Sequence, residues 1–531
     1  MGTNGVRMRL AWCAAAAAGL QPVTATAEPS TFRLTIAADK TGPTINRDIF
    51  GQFAEHLGSG IYGGIWVGPQ SSIPNVRGIR SDVVRALRAI QVPNVRWPGG
   101  CFGDNYHWRS GIGPRSKRPA TLNPDWGGVI ETNSFGTEEY FDFLGQIGAE
   151  AFISENVGSG TVEEAADWFE YMTSAKPTTL ANQRAANGHA GSYRIKYLGL
   201  GNESWGCGGA MSADHYVEEM KRFTRYTRNY NPAQQSPSTA MKRIAVGWDS
   251  GNDDYTDAVM KAWKAKNWAW DIEGVSLHGY TIPNSWEKKG PSVGFGEDEY
   301  AKAIRSTLKM KEWVARQSAI MDRYDPDKKV GLYVDEWGIW TDPNPGSNPG
   351  FLQQQNTLRD GVIAALNLDI FMRSADRVRG ANIAQMVNVL QAMILTDGPR
   401  MLLTPTYHVY RMYVPFQDAT LVSVGFDAGN YLHGDIRLPA VDAIAARDRA
   451  GGLWLAMINV DPNRAAQVGA TVEGPASRTA VGEVLTAATV DAHNSFDRPD
   501  QVVPRPFAGR LSGSQLLFDL PPKSVAVVEL R

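Results

Sequence analysis

Tyr197-Leu-Gly-Leu-Gly201-Asn-Glu-Ser-Trp205 is an apolar run of strand length that ends in an amide, a carboxylate, a hydroxyl and an indole. Val330-Gly-Leu-Tyr-Val-Asp-Glu336-Trp337 repeats the design further along the chain. Runs of this kind, apolar on both sides and polar only at the C-terminal end, read as buried parallel strands that deliver side chains to a shared mouth. Working outward, six further runs fit the same reading: Ile49-Phe53, Val92-Trp97, Ala151-Ser154, Ile244-Trp248, Gly274-His278 and Arg377-Val387. Helical patterns lie between them. Ser81 precedes Val83, Val84, Leu87 and Ile90 at helical spacing, Thr137 precedes Tyr140, Phe141 and Leu144, and Thr161-Val-Glu-Glu164 reads as a capping box. Eight strand–helix units predict an α/β fold, a (β/α)8 TIM barrel, over residues 45–414.

The texture changes after residue 415. Leu453-Trp-Leu-Ala-Met-Ile458 and Ser524-Val-Ala-Val-Val-Glu-Leu530 are short β-type runs between Gly, Pro and Asp turns, so residues 415–531 read as a jelly-roll-like β-sandwich domain. Residues 28–44, with the run Thr31-Ala37, are expected to add a strand to it. The first 27 residues carry Arg7 and Arg9, an apolar stretch Leu10–Leu20 and an Ala25-Thr-Ala27 cleavage pattern. That is the form of a signal peptide, and it predicts an exported protein, periplasmic or extracellular. No other stretch is long and apolar enough to span a bilayer. Fifty-three Lys and Arg against 55 Asp and Glu give a net charge of -2, which argues against a nucleic-acid or anionic-membrane partner. Sixteen Trp favour a ligand with flat apolar faces, such as a sugar.

In a barrel, polar residues at the C-terminal strand ends are the first functional suspects. Gln52-Phe-Ala-Glu55-His56, Arg96-Trp-Pro-Gly-Gly-Cys101, Asn202-Glu203, His278-Gly-Tyr280 and Asp335-Glu336 all stand there, where burying a charge has a cost that folding alone rarely justifies. Glu203 and Glu336 follow strands four and seven, which face each other across an eight-stranded ring. Two opposed carboxyls suit acetal cleavage: one protonates the leaving oxygen and the other, ionised, meets the developing cation. Other chemistries find less support. Gly58-Ser-Gly-Ile-Tyr-Gly63 has the glycine spacing of a dinucleotide loop but no helix after it, so it reads as a turn. There is no GxSxG elbow, P-loop or HExxH motif, and His56, His107 and His278 lack metal-ligand spacing, so neither a metal nor a cofactor is expected. Trp126 and Trp340, in loops after strands, are expected to stack on a sugar.

Phe50-Gly-Gln-Phe-Ala-Glu-His-Leu57, Arg96-Trp-Pro-Gly-Gly100, Gly201-Asn-Glu203, Ser276-Leu-His278 and Asp335-Glu-Trp337, taken in order, resemble glycoside hydrolase family 51, the α-L-arabinofuranosidases, along most of the mature chain. The resemblance implies an exo-acting, retaining enzyme that removes terminal arabinofuranose from arabinoxylan, arabinan or derived oligosaccharides. Glu203 would be its general acid/base and Glu336 its nucleophile. Glu55, Arg96, Asn202, Tyr280 and Gln385 would hold the sugar hydroxyls or the nucleophile, with His278 beside them and Trp126 and Trp340 as walls. Members of the family often form trimers or hexamers, so a homo-oligomer is among the expectations. One position departs from many members: Cys101 replaces an Asn that binds a sugar hydroxyl, and a thiol is a poor substitute for an amide. Cys207 follows Glu203 by four residues, and a disulfide to Cys101 or two free thiols beside the sugar are both open. The alternative activity is that of a β-glycanase or β-xylosidase on the same barrel, since two Glu do not encode which sugar lies between them. A non-catalytic carbohydrate-binding protein is the rival from another class.

Overall fold

The computed structural model describes residues 1–2, 30–248, 253–474 and 479–531. The expected signal segment lies almost wholly outside the described residues. Strand β1 (Ser30–Thr44) comes first, followed by eight barrel strands: β2 (Gly51–Phe53), β3 (Asn94–Trp97), β4 (Glu150–Glu155), β5 (Ile195–Leu200), β6 (Lys242–Trp248), β7 (Gly274–Thr281), β8 (Gly331–Ile339) and β9 (Val378–Ile383). These eight pair in parallel in sequence order and close between β9 and β2, so the predicted (β/α)8 barrel is present. Its helices are α1 (Ser81–Ala89), α2 (Thr137–Ile147), α3 (Val162–Thr173), α4 (Thr179–Ala186), α5 (Ala213–Tyr226), α6 (Asp254–Lys264), α7 (Glu297–Tyr324), α8 (Leu358–Arg373) and α9 (Pro405–Met412). No helix among the described residues is long and apolar enough to cross a membrane.

Local capping refines the sequence reading. Thr161 caps α3 by accepting the Glu164 N–H, but the Glu164 carboxylate turns away to His107 instead of closing the expected box. Helix α2 is capped by Gly136, one residue before Thr137, because the Glu139 carboxylate reaches back to the Gly136 N–H at 2.9 Å. In α1 Ser81 is the first helical residue rather than the cap, and Asp82 takes both the Val83 N–H and the Arg80 guanidinium.

The C-terminal unit comprises β10 (Thr420–Phe426), β11 (Val441–Arg447), β12 (Leu453–Asn459), β13 (Ala466–Glu473), β14 (Ala480–Leu485), β15 (Arg505–Ser512), β16 (Gln515–Leu520) and β17 (Ser524–Leu530). Together with β1 these strands form one ring, ordered β1-β10-β11-β12-β17-β14-β15-β16-β13, so the sheet has no open edge. All of its pairs are antiparallel except β1 with β13. The ring docks on α7, α8 and α9 through Tyr300 to the Val460 carbonyl at 2.8 Å, Arg373 to Asp442 at 2.6 Å and Arg411 to Glu483 at 2.8 Å. Apolar packing runs continuously from barrel to ring.

Inside the barrel, Phe152 of β4, Tyr197 of β5, Ile244 of β6 and Tyr333 of β8 pack together as one cluster. Tyr197 anchors it from below by donating to Asp48 at 2.6 Å. Arg96 lies higher on β3, 1 % exposed, with its guanidinium 4.5 Å from the centre of the Phe53 ring. The cluster fills the barrel interior as its floor. Replacing Tyr333 by Ala should cost about 3–5 kcal/mol in denaturant unfolding, the usual penalty for emptying a large buried site. A loss under about 1 kcal/mol would show that the floor does not depend on this ring.

Candidate active site

The pairing of β7 with β8 slips by one residue between Ser276 and His278, where Tyr333 opposes Ser276 but Glu336 opposes His278. An extra residue on β8 is a bulge, and a bulge re-aims side chains. It lets the adjacent Asp335 and Glu336 both reach His278, from 3.2 Å at Nε2 and 3.6 Å at Nδ1 respectively. Nδ1 also lies 2.9 Å from Glu203 Oε1 at the end of β5. Burial opposes a charged imidazole, but the charge of Glu336, then the contact with Asp335 and the bond to Glu203, outweigh it and push His278 up to about 10. His278 is therefore an imidazolium at neutral pH, with both ring nitrogens directed at carboxylates.

Glu336 is held from two sides. Tyr280 donates to Oε1 at 2.7 Å and Arg96 Nη1 donates to Oε2 at 3.0 Å. Burial and the charge of Glu336 push the Tyr280 phenol well above its ordinary value, so it remains a neutral donor. Arg96 Nη2 also donates to Asn202 Oδ1 at 2.6 Å, and its Nε lies 3.5 Å from Asp335. Oxygens of Glu203 and Glu336 come within 4.8 Å of each other around His278.

Glu55 occupies a nest of donors. Its Oε1 accepts from the Gly100 N–H at 2.9 Å, the Phe102 N–H at 3.1 Å and Trp126 Nε1 at 2.9 Å, and Oε2 accepts from Gln385 at 3.0 Å. These bonds favour the carboxylate, yet burial, helped by the charge of Glu336, pushes it up to about 7. The glycines of Arg96-Trp-Pro-Gly-Gly make the nest possible: a Cβ on Gly99 would fall 2.8 Å from Glu55 Cγ. The neighbouring His56 accepts at Nε2 from the indole N–H of Trp97 at 3.1 Å. An indole only donates, so His56 is neutral and its Nδ1–H points to Glu131 at 2.9 Å. Glu131 also accepts from Tyr62 and from the Asn133 N–H. This pins one end of the loop whose Asn123, bonded to the His56 carbonyl at 2.6 Å, positions Trp126.

Cys101 and Cys207 form a disulfide, which resolves the alternative that the sequence left open. It ties the loop after β3 to the loop after β5. Glu203 stands at φ +40°, a left-handed conformation that costs a non-glycine residue about 1 kcal/mol or more. Its carbonyl accepts from the Gly206 and Gly208 N–H groups, at 2.7 and 3.2 Å. A Cβ on Gly208 would meet the Asn202 oxygen at 1.8 Å, so only glycine fits there. Glu203 Oε2 lies 3.7 Å from Cys207 Sγ, which in a disulfide has no proton to give. Asp104 fixes the Asn202 N–H at 3.0 Å, and burial pushes Asp104 up to about 7.

These groups surround a cavity of about 790 Å³ at the C-terminal mouth of the barrel. Glu55, Cys101, Trp126, Glu203, His278, Tyr280, Glu336, Trp340 and Gln385 all line it. Arg96 and Asn202 are 1 % and 2 % exposed and do not line it; they bond each other, and Arg96 holds Glu336, so their place is behind the reacting groups. Sequence reasoning gave no role to Trp205 in the wall, to Asp335 beside His278 or to His56, and passed over Trp286 in the wall, Asp104 under Asn202 and Glu131 as the partner of His56. Asp335 precedes Glu336 in the quoted strand and only the bulge shows that both turn inward, whereas Glu131 carries no strand-end signal. Replacing Glu131 by Gln should speed hydrogen exchange across residues 121–131 by about tenfold or more, since an amide NH2 set among the His56, Tyr62 and Asn133 donors leaves buried groups unpaired and loosens what they anchor. Unchanged exchange would show that the loop is held by other contacts.

The chain was compared with known proteins. Sequence models described as the α-L-arabinofuranosidase 1 domain and the α-L-arabinofuranosidase C-terminal domain match residues 86–289 and 335–524. An intracellular exo-α-L-arabinofuranosidase of Bacteroides ovatus is 43% identical over 94% of this chain and 95% of its own length. The crystal structure of a family 51 arabinofuranosidase from Xanthomonas axonopodis pv. citri superposes with a TM-score of 0.91 at 46% identity, covering 94% of this chain and all of that one. An α-L-arabinofuranosidase from Thermotoga maritima, solved as an arabinose complex, gives 0.81 at 30% identity over 94% and 99% of the two chains. With the carboxylate pair, the donor nest and the barrel all in place, the chain belongs to glycoside hydrolase family 51, the α-L-arabinofuranosidases.

Proposed function

We propose that this glycoside hydrolase acts as an exo-α-L-arabinofuranosidase and retains anomeric configuration. The observation that carries the reading is the approach of Glu203 and Glu336 to within 4.8 Å. Carboxyls about 5–5.5 Å apart leave no room for a water between acid and base and so favour double displacement; inverting pairs stand about 6.5–9.5 Å apart. In the first step a Glu336 oxygen forms a bond to the anomeric carbon as the glycosidic bond breaks, and Glu203 gives its proton to the departing oxygen. In the second, ionised Glu203 takes a proton from water, whose oxygen replaces Glu336 at the same carbon. Arg96 and Tyr280 donate to Glu336 and orient it, and His278 fixes Oε1 of Glu203, leaving Oε2 for the proton transfer. Glu55 and Gln385, joined at 3.0 Å, offer an acceptor and a donor to sugar hydroxyls, between Trp126 and Trp340.

The exo mode is supported by the name of the Bacteroides ovatus relative, and the sugar by the arabinose complex of the Thermotoga maritima enzyme. Terminal arabinofuranosyl units of arabinoxylan, arabinan or derived oligosaccharides are the proposed substrates. Export is proposed on the form of residues 1–27, and the Cys101–Cys207 disulfide is what an oxidising compartment would preserve.

Purified mature protein should release the aryl group from an α-L-arabinofuranoside far faster than from a β-D-xyloside or β-D-glucoside. Cleavage mainly of a β-glycoside would favour the β-glycanase or β-xylosidase alternative. Glu336→Ala should lose on the order of 10⁴-fold in turnover, as removal of a nucleophile does, while melting like the wild type. Glu203→Ala should lose far less on substrates with good aryl leaving groups, which need no acid, than on natural linkages. Near-wild-type turnover in Glu336→Ala would remove the mechanism.

A further inference from the structure

A second feature of the chain stands apart from the catalytic mouth. Trp268 is 87 % exposed, the most exposed large apolar side chain among the described residues after the terminal Met1. It lies between α6 and β7, in a loop that enters a strand, and so on the N-terminal face of the barrel. That face serves stability in this fold, and an indole so fully in water adds none. Tyr226, 56 % exposed at the end of α5, stands nearby. A groove of about 470 Å³ runs between the C-terminal half of α5 and this loop, with Tyr226, Trp270 and Asn267 in its lining.

The groove is cationic in a chain whose net charge is only -2. Lys221, Arg222, Arg225 and Lys266 line it against a single lining carboxylate, Glu218. The Arg225 guanidinium sits 5.7 Å from the centre of the Trp268 ring, and the Lys221 ammonium 5.9 Å from that of Trp270. Lys221 and Arg222 pair with Glu218 and Glu219 only as exposed neighbours on one helix, at 2.7 and 2.8 Å, and Lys266 lies 3.5 Å from the half-exposed Asp271. Such pairs contribute little and exchange readily for another anion. Aromatic faces flanked by exchangeable cations suit a chain of sugar rings that carry carboxylates. They do not suit a two-fold contact with a second copy of this chain, which would set like charges against each other. A nucleic acid would call for a longer basic track than one groove.

We propose that the α5–α6 groove is a binding site for acidic polysaccharide, a uronate-bearing glycan chain, outside the catalytic cavity. Sugar rings stack on Trp268 and Tyr226, and their carboxylates meet Arg225 and Lys266. The site holds the polymer on the face opposite the mouth and takes no part in bond cleavage.

The test is retention of the intact protein on immobilised polygalacturonate, beside immobilised neutral arabinoxylan and a single-stranded oligonucleotide, for wild type, Trp268→Ala and Arg225→Ala. Melting temperature serves as the fold control and gel filtration reads the mass. The wild type should bind the acidic polymer in a salt-sensitive manner, and each variant should bind it at least about tenfold more weakly, the size of loss expected for an anchoring residue. Melting and mass should not change. Undiminished binding by both variants would overturn the proposal. So would equal binding to the neutral polymer, preferential binding to the oligonucleotide, or a change of mass in Trp268→Ala, which would make the groove an interface between copies.

Discussion

Two buried cations hold the centre of this protein together. Arg96 and His278 lie among Asp335, Glu336 and Glu203, and Glu55 stands close enough for the charge of Glu336 to raise it. Carboxylates at this depth would repel one another and lose their hydration. The guanidinium reaches Asp335 and Glu336, and the imidazolium lies against all three of Asp335, Glu336 and Glu203. Phe53 lies against the face of the guanidinium. Removing either cation would leave carboxylates buried without compensation, a change that typically costs about 3–5 kcal/mol.

The loops above the cluster are built to keep it in register. The donor nest fixes Glu55 through backbone N–H groups, and those belong to residues flanking Cys101. The disulfide then ties that loop to the one carrying Glu203, whose left-handed backbone is held by the Gly206 and Gly208 amides. Glu203 and the donor nest are thus linked covalently as well as through Arg96 and Asn202. In place of an amide that would bond a sugar hydroxyl, this chain presents sulfur to the cavity, so recognition on that side rests on shape and on the remaining polar groups.

Much of this was legible in the sequence because parallel barrel strands are apolar throughout and turn polar only where they reach the mouth. Glu203, Glu336, His278 and Tyr280 could be placed on that pattern alone, and Gln385 through family resemblance. What the pattern could not show were features of register and packing. A period-two strand would point Asp335 and Glu336 to opposite sides, and only the bulge opposite His278 brings both inward. The resemblance implied that Arg96 and Asn202 hold sugar hydroxyls or the nucleophile; Arg96 does hold Glu336, and both residues lie behind the cavity wall rather than in it. The His56–Glu131 pair joins residues 75 positions apart, a contact that neither local sequence implies. Helix starts were misjudged by a residue where a carboxylate from within the helix, Glu139, took the role that Thr137 seemed suited to fill.

The protonation of His278 binds these features to one measurable state. With histidine labelled in nitrogen-15 and the His278 signals assigned by their loss in His278→Gln, both ring nitrogens should carry protons at pH 8, and the ring should titrate only as pH rises to about 10. The facing carboxylates raise the folded value above the ordinary 6.5, so the stabilisation they share with the ring is complete below about pH 6.5 and fades as pH climbs through 10. A neutral imidazole at pH 8 would contradict the charge balance from which the roles of Glu203 and Glu336 are derived.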